Sequence, residues 1–142
     1  MDKVLKLLKE NGTMSLATSC GDRPRSSVVD YIMVGDSLIF MTDRKTLKAK
    51  NLSKNPNISL TVVSALAEGQ KIDTLLYLAA DGVAVAASAE ETEGYITKLI
   101  ERYPEFKQFI ESGAMDCIYF KAVLDTVWFS HGMAPAEVIK MK

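Results

Sequence analysis

The sequence is poor in the residues from which metal centres and disulfide frameworks are usually built. It contains one histidine, His131, so a metal cluster made of several histidines is excluded. Its two cysteines, Cys20 and Cys117, match neither a CxxC motif nor a zinc-ligand spacing. Each lies in a strand-like segment, which favours buried thiols over a disulfide. We therefore expect no metal site and no redox-active cysteine pair.

Long apolar runs and a charge of one sign are also missing. The net charge of −1 gives no general attraction to nucleic acid or to anionic membranes. The first residues lack the apolar core of a signal peptide. The most apolar stretch, residues 74–89, is interrupted by Asp81 and Gly82 and is too short to span a bilayer. We expect a cytoplasmic protein that contacts no membrane.

What is present is the composition of an ordinary globular protein. Apolar residues make up 48% of the sequence and charged residues 25%, which is typical of a chain with a real core. The length of 142 residues suits one domain. The sequence shows no internal repeat and no low-complexity segment, so we expect a single domain over residues 1–142.

Six segments carry the apolar and polar pattern of strands, and tight turns join several of them. The predicted strands are residues 13–20, 25–34, 37–42, 57–64, 75–88 and 115–130. The fifth is expected to bend or bulge at Asp81-Gly82, and a short extra strand is expected near Val138. Consecutive strands with tight turns favour an antiparallel sheet, and barrel closure would remove its exposed edges. The predicted fold is mainly β, a six-stranded antiparallel barrel with flanking helices.

Helix signals flank these strands. Residues 2–11 form a short amphipathic segment that ends in Asn-Gly. Ser88 and Glu91 have the spacing of a capping box, with Ser as the N-cap and Glu three residues on. The helix that they open is expected to break at Pro104, and Gly113 is expected to end the helical piece that follows.

Residues 38–56 read as an apolar strand that leads into a short basic helix. Asp43 is placed to cap this helix, because its carboxylate can accept hydrogen bonds from the amides of the first turn. The first two turns would then carry three cations: Arg44, Lys45 and Lys48. A helix N-terminus carries partial positive charge and favours Asp or Glu, so a cationic cluster there is unusual.

An anion bound at the start of the basic helix would relieve this conflict. Free amides, hydroxyls and ammonium groups would all point toward it, and Thr42 and Thr46 supply the hydroxyls. The stretch therefore indicates a phosphate site. The alternative is a solvated basic face on a surface helix, which is what most such runs are.

Four groups of residues follow one another along the chain in an order and at a spacing that are specific for one fold. They are residues 21–27 (GDRPRSS), residues 40–42 (FMT) with 46–48 (TLK) and 52–56 (LSKNP), residues 81–84 (DGVA), and residues 103–105 (YPE). In this arrangement the chain resembles the FMN-binding split barrel of the pyridoxamine 5′-phosphate oxidase-like superfamily. The resemblance extends over about residues 3–129.

The resemblance implies a set of phosphate ligands. In the family an Arg on the second strand and a Ser-Arg-Lys group on the helix after the third strand hold the FMN phosphate. Thr46 stands for the Ser and Lys48 for the Lys, whereas Leu47 replaces the Arg. Arg25 is the expected strand cation, although direct counting places Ser26 at that position.

The resemblance also implies contacts to the flavin ring. Thr42 matches a threonine that contacts the flavin, and Met41 stands where the oxidase has Tyr. The backbone of Ser26, Ser27 and Val28 would line the isoalloxazine and the ribityl chain.

Further contacts are implied from a second subunit, since the family forms two-fold dimers with both flavin sites at the interface. Tyr77 falls where the oxidase uses a Gln from the partner subunit. Trp128 either covers the flavin or packs as a core or interface aromatic, and His131 is either a proton donor near the flavin or a rim residue. We expect a homodimer that acts on a small-molecule redox substrate.

The predicted function is that of an FMN-binding protein, an FMN-dependent oxidoreductase of unassigned substrate. A non-enzymatic FMN electron carrier is one alternative, and the same barrel using deazaflavin or haem is another. Oxidation of pyridoxine phosphate is disfavoured, because the chain lacks the C-terminal Arg-Leu-x-Pro segment with which those oxidases hold substrate. Residues 131–135 are a poor substitute for it.

Overall fold

The computed structural model describes residues 2–64 and 71–141. These residues form eight strands, which are β1 (Thr13–Cys20), β2 (Arg23–Asp30), β3 (Ile32–Val34), β4 (Ser37–Asp43), β5 (Asn57–Val63), β6 (Leu76–Ala86), β7 (Cys117–His131) and β8 (Glu137–Lys140). The helices are α1 (Asp2–Glu10), α2 (Leu47–Lys54), α3 (Ala89–Arg102) and α4 (Phe106–Ser112), with a 3₁₀ turn at Ile72–Thr74.

All eight strands belong to one antiparallel sheet that curls on itself. The strand order is β2-β1-β5-β6-β7-β4-β3, and β8 pairs with β7. The two end strands, β2 and β3, are separated in sequence by Tyr31 alone, so the opposite edges of the sheet must lie close together. The Tyr31 side chain is buried, and its hydroxyl donates to the Leu8 carbonyl at 2.8 Å. The result is the split barrel that the sequence predicts.

The structure has eight strands and not the expected six, because the predicted second strand is divided in two and the expected short final strand forms as well. The predicted second strand is divided at Tyr31, because β2 pairs with β1 up to Asp30 whereas β3, from Ile32 on, pairs with β4. That strand also begins earlier, at Arg23, because Gly21 and Asp22 take positive φ values of 58° and 61° and make a two-residue turn. The expected short final strand is present as β8 and completes the eight.

The predicted irregularity at Asp81-Gly82 is confirmed as a register shift between β6 and β7. Asp81 pairs with Thr126 and Gly82 pairs with Leu124, so Asp125 is an extra residue on β7. A β carbon on Gly82 would lie 2.1 Å from the Val123 carbonyl oxygen. Only glycine allows the two strands to approach this closely.

The main core fills the inside of the barrel. Alternate residues of the strands point into it, as in β1, where Met14 and Leu16 are buried and their neighbours Ser15 and Ala17 are not. A second apolar cluster lies outside the barrel, between α3 and the strands β3 and β4. Its buried members are Ile32, Ile39, Tyr95 and Leu99.

The capping box at the start of α3 is confirmed. The Ser88 hydroxyl accepts from the Glu91 amide at 3.0 Å, and the Glu91 carboxylate accepts from the Ser88 amide at 2.9 Å. The bond from the Ser88 amide is the main cause that lowers the pKa of Glu91 to about 2, and the nearby Lys121 ammonium acts in the same direction. The expected end of α4 is also confirmed, since Gly113 takes the left-handed conformation.

Both cysteines are free thiols, as predicted, but they are half-buried rather than fully enclosed. Each lies at an end of its strand, Cys20 at the end of β1 and Cys117 at the start of β7. None of the helices within residues 2–64 and 71–141 is long and apolar enough to cross a membrane.

Candidate functional site

The candidate site lies where β4 passes into α2. Thr46 is the N-cap of the helix, and its hydroxyl accepts from the Ala49 amide at 3.3 Å. The prediction that Asp43 caps the helix is wrong. The Asp43 carboxylate instead accepts from the Lys45 amide at 2.9 Å and so stabilises the turn that precedes the helix.

This later start changes where the basic residues lie. Arg44 and Lys45 belong to the turn, so of the three predicted cations only Lys48 lies in the first helical turn. The Arg44 guanidinium pairs with the Asp116 carboxylate at 3.0 Å, and both side chains are exposed. Lys48 is half-buried and has no ion pair among the described residues, so its ammonium group is available at this helix end.

The two predicted hydroxyls do meet at the start of α2. The hydroxyl oxygens of Thr42 and Thr46 lie 2.8 Å apart. Thr46 also donates to the Asp43 carbonyl at 2.8 Å, which fixes its side chain, and Thr42 is buried, with 3% of its surface exposed. The amides of Leu47 and Lys48 have no acceptor within the helix, so hydroxyls, amides and one ammonium group share this end.

The strand register decides between Arg25 and Ser26 as the residue that faces α2. Arg25 pairs with Thr18 on β1, and directly paired residues share one face of a sheet. Thr18 faces α2, because its buried hydroxyl accepts from the Asn51 amide of that helix at 3.1 Å. Ser26 pairs with Ala17 and therefore lies on the opposite face. Arg25 therefore lies on the sheet face that α2 packs against.

The remaining predicted residues of β2 alternate in the same way. Ser27 pairs with the buried Leu16 and shares the inner face, whereas Val28 points outward and is 76% exposed. Within the described residues, the edge of β2 that faces away from β1 pairs with no other strand. Its backbone is therefore accessible to a ligand or to a second chain.

Met41 and Thr42 are neighbours on β4, but their side chains are on opposite sides of the sheet. Thr42 points to the inside of the barrel, whereas Met41 packs outside against the second apolar cluster. The two side chains therefore cannot contact one ligand from the same face. Of the two, Thr42 is the residue beside α2.

Tyr77 and Trp128 also lie on the outer face. Leu78, which follows Tyr77 on β6, and Phe129, which follows Trp128 on β7, belong to the core. Because successive side chains of a strand point to opposite faces, Tyr77 and Trp128 point outward. Within one chain Tyr77 and Trp128 are thus separated from Thr42 by the sheet. The start of α2 lies near Asp43, which pairs with Cys117 at the first end of β7. His131 lies at the other end of this 15-residue strand and is therefore far from the start of α2.

Sequence reasoning missed the buried polar pair Thr18 and Asn51, which joins β1 to α2. Asn55 adds a second link, because its amide donates to the Ser19 hydroxyl at 3.2 Å. The sequence signal was a pair of asparagines four residues apart, Asn51 and Asn55, which lie on one side of a helix. These bonds orient the helix so that its N-terminus lies beside Thr42.

Comparison with known proteins agrees with this architecture. A family model described as pyridoxamine 5′-phosphate oxidase matches residues 1–123. The chain belongs to this family. The match includes β1 to β6, α2, α3 and the start of β7, and hence every position of the candidate site on β4 and α2. A search of curated proteins finds no significant match.

The solved structures that resemble this chain carry different names and roles. A haem-binding protein from Mycobacterium smegmatis has a TM-score of 0.76 and 18% identity, over 92% of this chain and 53% of that protein. A NimC/NimA family protein from Clostridium acetobutylicum has a TM-score of 0.70 and 17% identity, over 99% and 92%. The haem storage protein HutZ from Vibrio cholerae has a TM-score of 0.68 and 19% identity, over 92% of each. At these identities the likeness establishes the fold alone.

Proposed function

We propose that this protein binds FMN with the phosphate at the start of α2 and acts as an FMN-dependent oxidoreductase on a small-molecule substrate. The observation that carries the proposal is the meeting of the Thr42 and Thr46 hydroxyls, 2.8 Å apart, at a helix N-terminus. Family membership adds that flavin is a common cofactor of this barrel.

The donor chemistry fits a phosphate dianion. Such a group needs two or three donors, of which some carry positive charge. Lys48 offers an ammonium group in the first turn of α2, and Arg25 offers a guanidinium from the sheet face that α2 covers. The amides at the helix start add the partial positive charge of the helix dipole.

Leu47 weakens this site relative to the family pattern. It occupies the first position of α2, where the family has a phosphate-binding Arg, and it is 50% exposed with no charge to offer. A hydrogen bond to a charged group contributes about 1.5–3 kcal/mol. We therefore expect FMN to bind roughly tenfold or more weakly than it would with Arg at this position.

The proposed site draws on a second copy of the chain. Val28, Tyr77 and Trp128 lie on the outer face and reach a shared ligand only across a seam between two barrels. The outer face also carries exposed apolar side chains that a partner would cover: Val28, Val63, Val85, Val123 and Val138. We propose a homodimer with an interface of roughly 2,000 Å², in the obligate class, and one flavin site at each end.

Bound FMN would supply the hydride or electron transfer, and the protein residues bind and orient it. The isoalloxazine requires a flat, largely apolar slot with a few backbone donors. The open edge of β2 at residues 26–28 offers the backbone donors, and the aromatic rings of Tyr77 and Trp128 offer apolar walls. The lack of a second histidine or a cysteine pair is no obstacle, because the cofactor performs the redox step.

The test of the phosphate assignment compares two ligands that differ only in the phosphate. Lys48→Ala should weaken FMN binding by about 1.5–3 kcal/mol, whereas riboflavin should bind nearly as before. Lys54→Ala, at the other end of α2, is the matched control and should leave both affinities unchanged. Equal losses of FMN and riboflavin in a fluorescence titration of Lys48→Ala would overturn the assignment.

The dimer is tested separately. Ala79 lies on the outer face between Thr61 and Trp128, so Ala79→Glu places a charge in the proposed seam. We expect light scattering to show a dimer for the wild type at sub-micromolar concentration. For Ala79→Glu we expect a monomer near 15.6 kDa that has lost FMN. A wild-type monomer that keeps FMN would refute a shared site. Lys6→Glu on the exposed side of α1 is the control.

Haem is the second candidate, because two of the similar solved structures are haem proteins. Haem iron needs an axial ligand, most often histidine. The only histidine, His131, is exposed at the end of β7, away from α2. If haem is the cofactor, a haem titration should give a Soret band that His131→Ala changes, and FMN should not compete.

A further inference from the structure

A cavity of about 240 Å³ lies between α4 and the paired ends of β4 and β7. It is separate from the proposed FMN site, because it opens on the outer side of β4, where Met41 points, and not on the side of Thr42. Three sulfur-bearing side chains line it: Met41, Met115 and Cys117. Nothing in the proposed flavin chemistry uses this group.

The fold brings these three side chains from different parts of the chain to the lining of one cavity. Met115 and Cys117 are two residues apart where β7 begins, so both can face the same side. Met41 pairs with Tyr119, and Cys117 pairs with Asp43, which makes Met41 the diagonal neighbour of Cys117 on one sheet face. Diagonal neighbours are within reach of long side chains such as methionine.

Methionine and cysteine often serve only to fill gaps under a helix. Two features distinguish this group from such packing. The space among the side chains is open rather than filled, and all three sulfur-bearing residues are half-buried rather than enclosed.

We propose that this cavity binds Cu(I) through the Cys117 thiolate and the thioethers of Met41 and Met115. Thiolate and thioether ligands are soft and select Cu(I). Binding forms one Cu–S bond to Cys117 and releases its thiol proton to solvent, while the thioethers donate lone pairs and lose no proton. One thiolate neutralises one Cu⁺, so the bound group carries no net charge in a half-buried site.

A divalent ion such as Zn²⁺ fits this cavity less well. It would leave a net positive charge on the three-sulfur set, and it prefers four cysteine, histidine or carboxylate ligands. Within the described residues no group of three His, Cys, Asp or Glu side chains is placed to hold a metal. The Asp116 carboxylate already pairs with Arg44 and is not free to complete such a set.

The experiment titrates the reduced protein with Cu(I) under anaerobic conditions against a chromophoric Cu(I) chelator, and measures released protons in parallel. We expect one Cu(I) and one proton for each chain. Cys117→Ser should abolish the binding. Met41→Leu and Met115→Leu should each weaken it at least roughly tenfold, since changes even outside the ligand set cost this much in other metal sites.

Leucine has nearly the volume of methionine, so both Met variants should fold, and thermal unfolding followed by circular dichroism checks this. Cys20→Ser and Met133→Leu alter the same residue types elsewhere and should bind as the wild type does. The proposal is overturned if Cys117→Ser keeps the Cu(I), if Cys20→Ser loses it, or if both Met variants match the wild type.

Discussion

Arg25 gives the sharpest test of how the sheet register builds the phosphate site. Arg25 lies on the same sheet face as Thr18, the β1 residue that binds α2, and Ser26 lies on the opposite face, although the two are adjacent in sequence. Arg25→Ala removes a guanidinium whose bond to a phosphate would contribute about 1.5–3 kcal/mol. Because Arg25 is exposed and solvent screens its charge, we expect the lower end, which is roughly a tenfold rise in the Kd for FMN.

The assay is the quenching of flavin fluorescence on titration of each variant with FMN and with riboflavin. Ser26→Ala should change the FMN affinity by less than about 0.5 kcal/mol, as is usual for surface substitutions that break no interaction. Arg25→Ala should leave riboflavin binding nearly unchanged. The reasoning fails if Ser26→Ala loses as much FMN affinity as Arg25→Ala, or if Arg25→Ala weakens riboflavin equally.

Three further expectations follow from the fold and the family pattern. Gly82→Ala should lower the free energy of unfolding by about 1–3 kcal/mol or more, because its β carbon would lie 2.1 Å from the Val123 carbonyl oxygen; urea denaturation measures this. Glu91 has a pKa lowered from 4.5 to about 2 in the folded protein, so its contribution to stability should be complete above pH 4.5 and be lost as the pH falls toward 2. Wild type should therefore lose more stability over that range than Glu91→Gln, and equal losses would argue against the capping bond. Oxidation of pyridoxine phosphate should be undetectable by oxygen consumption with FMN bound, and robust turnover would show that the missing substrate clamp is not needed.

Local chemistry made much of the fold predictable from the sequence. The capping box of Ser88 and Glu91 follows from two side chains at a fixed spacing, and the structure has both bonds. Gly113 and the bulge at Asp81-Gly82 were recognisable because glycine is required at such backbone positions. These features depend on a few adjacent residues, so they can be inferred without knowing the rest of the structure.

The site was harder to predict, because it depends on competition and on register. Asp43 and Thr46 can each cap a helix; the Asp43 carboxylate bonds to the Lys45 amide in the turn, and the helix therefore starts three residues later than expected. The choice between Arg25 and Ser26 depends on which residue of β1 lies opposite, which a single sequence does not specify. The division of the second strand at Tyr31 depends on a change of partner strand from β1 to β4, which a single sequence does not specify.

The most direct test of the central claim is the chromophore of the protein as purified, without reconstitution. We expect the absorbance spectrum of a flavin, and we expect the chromophore released on denaturation to co-elute with FMN in about one equivalent per chain. A Soret band, released FAD, or a colourless protein that binds no added FMN would contradict the proposal that this barrel holds FMN at the start of α2.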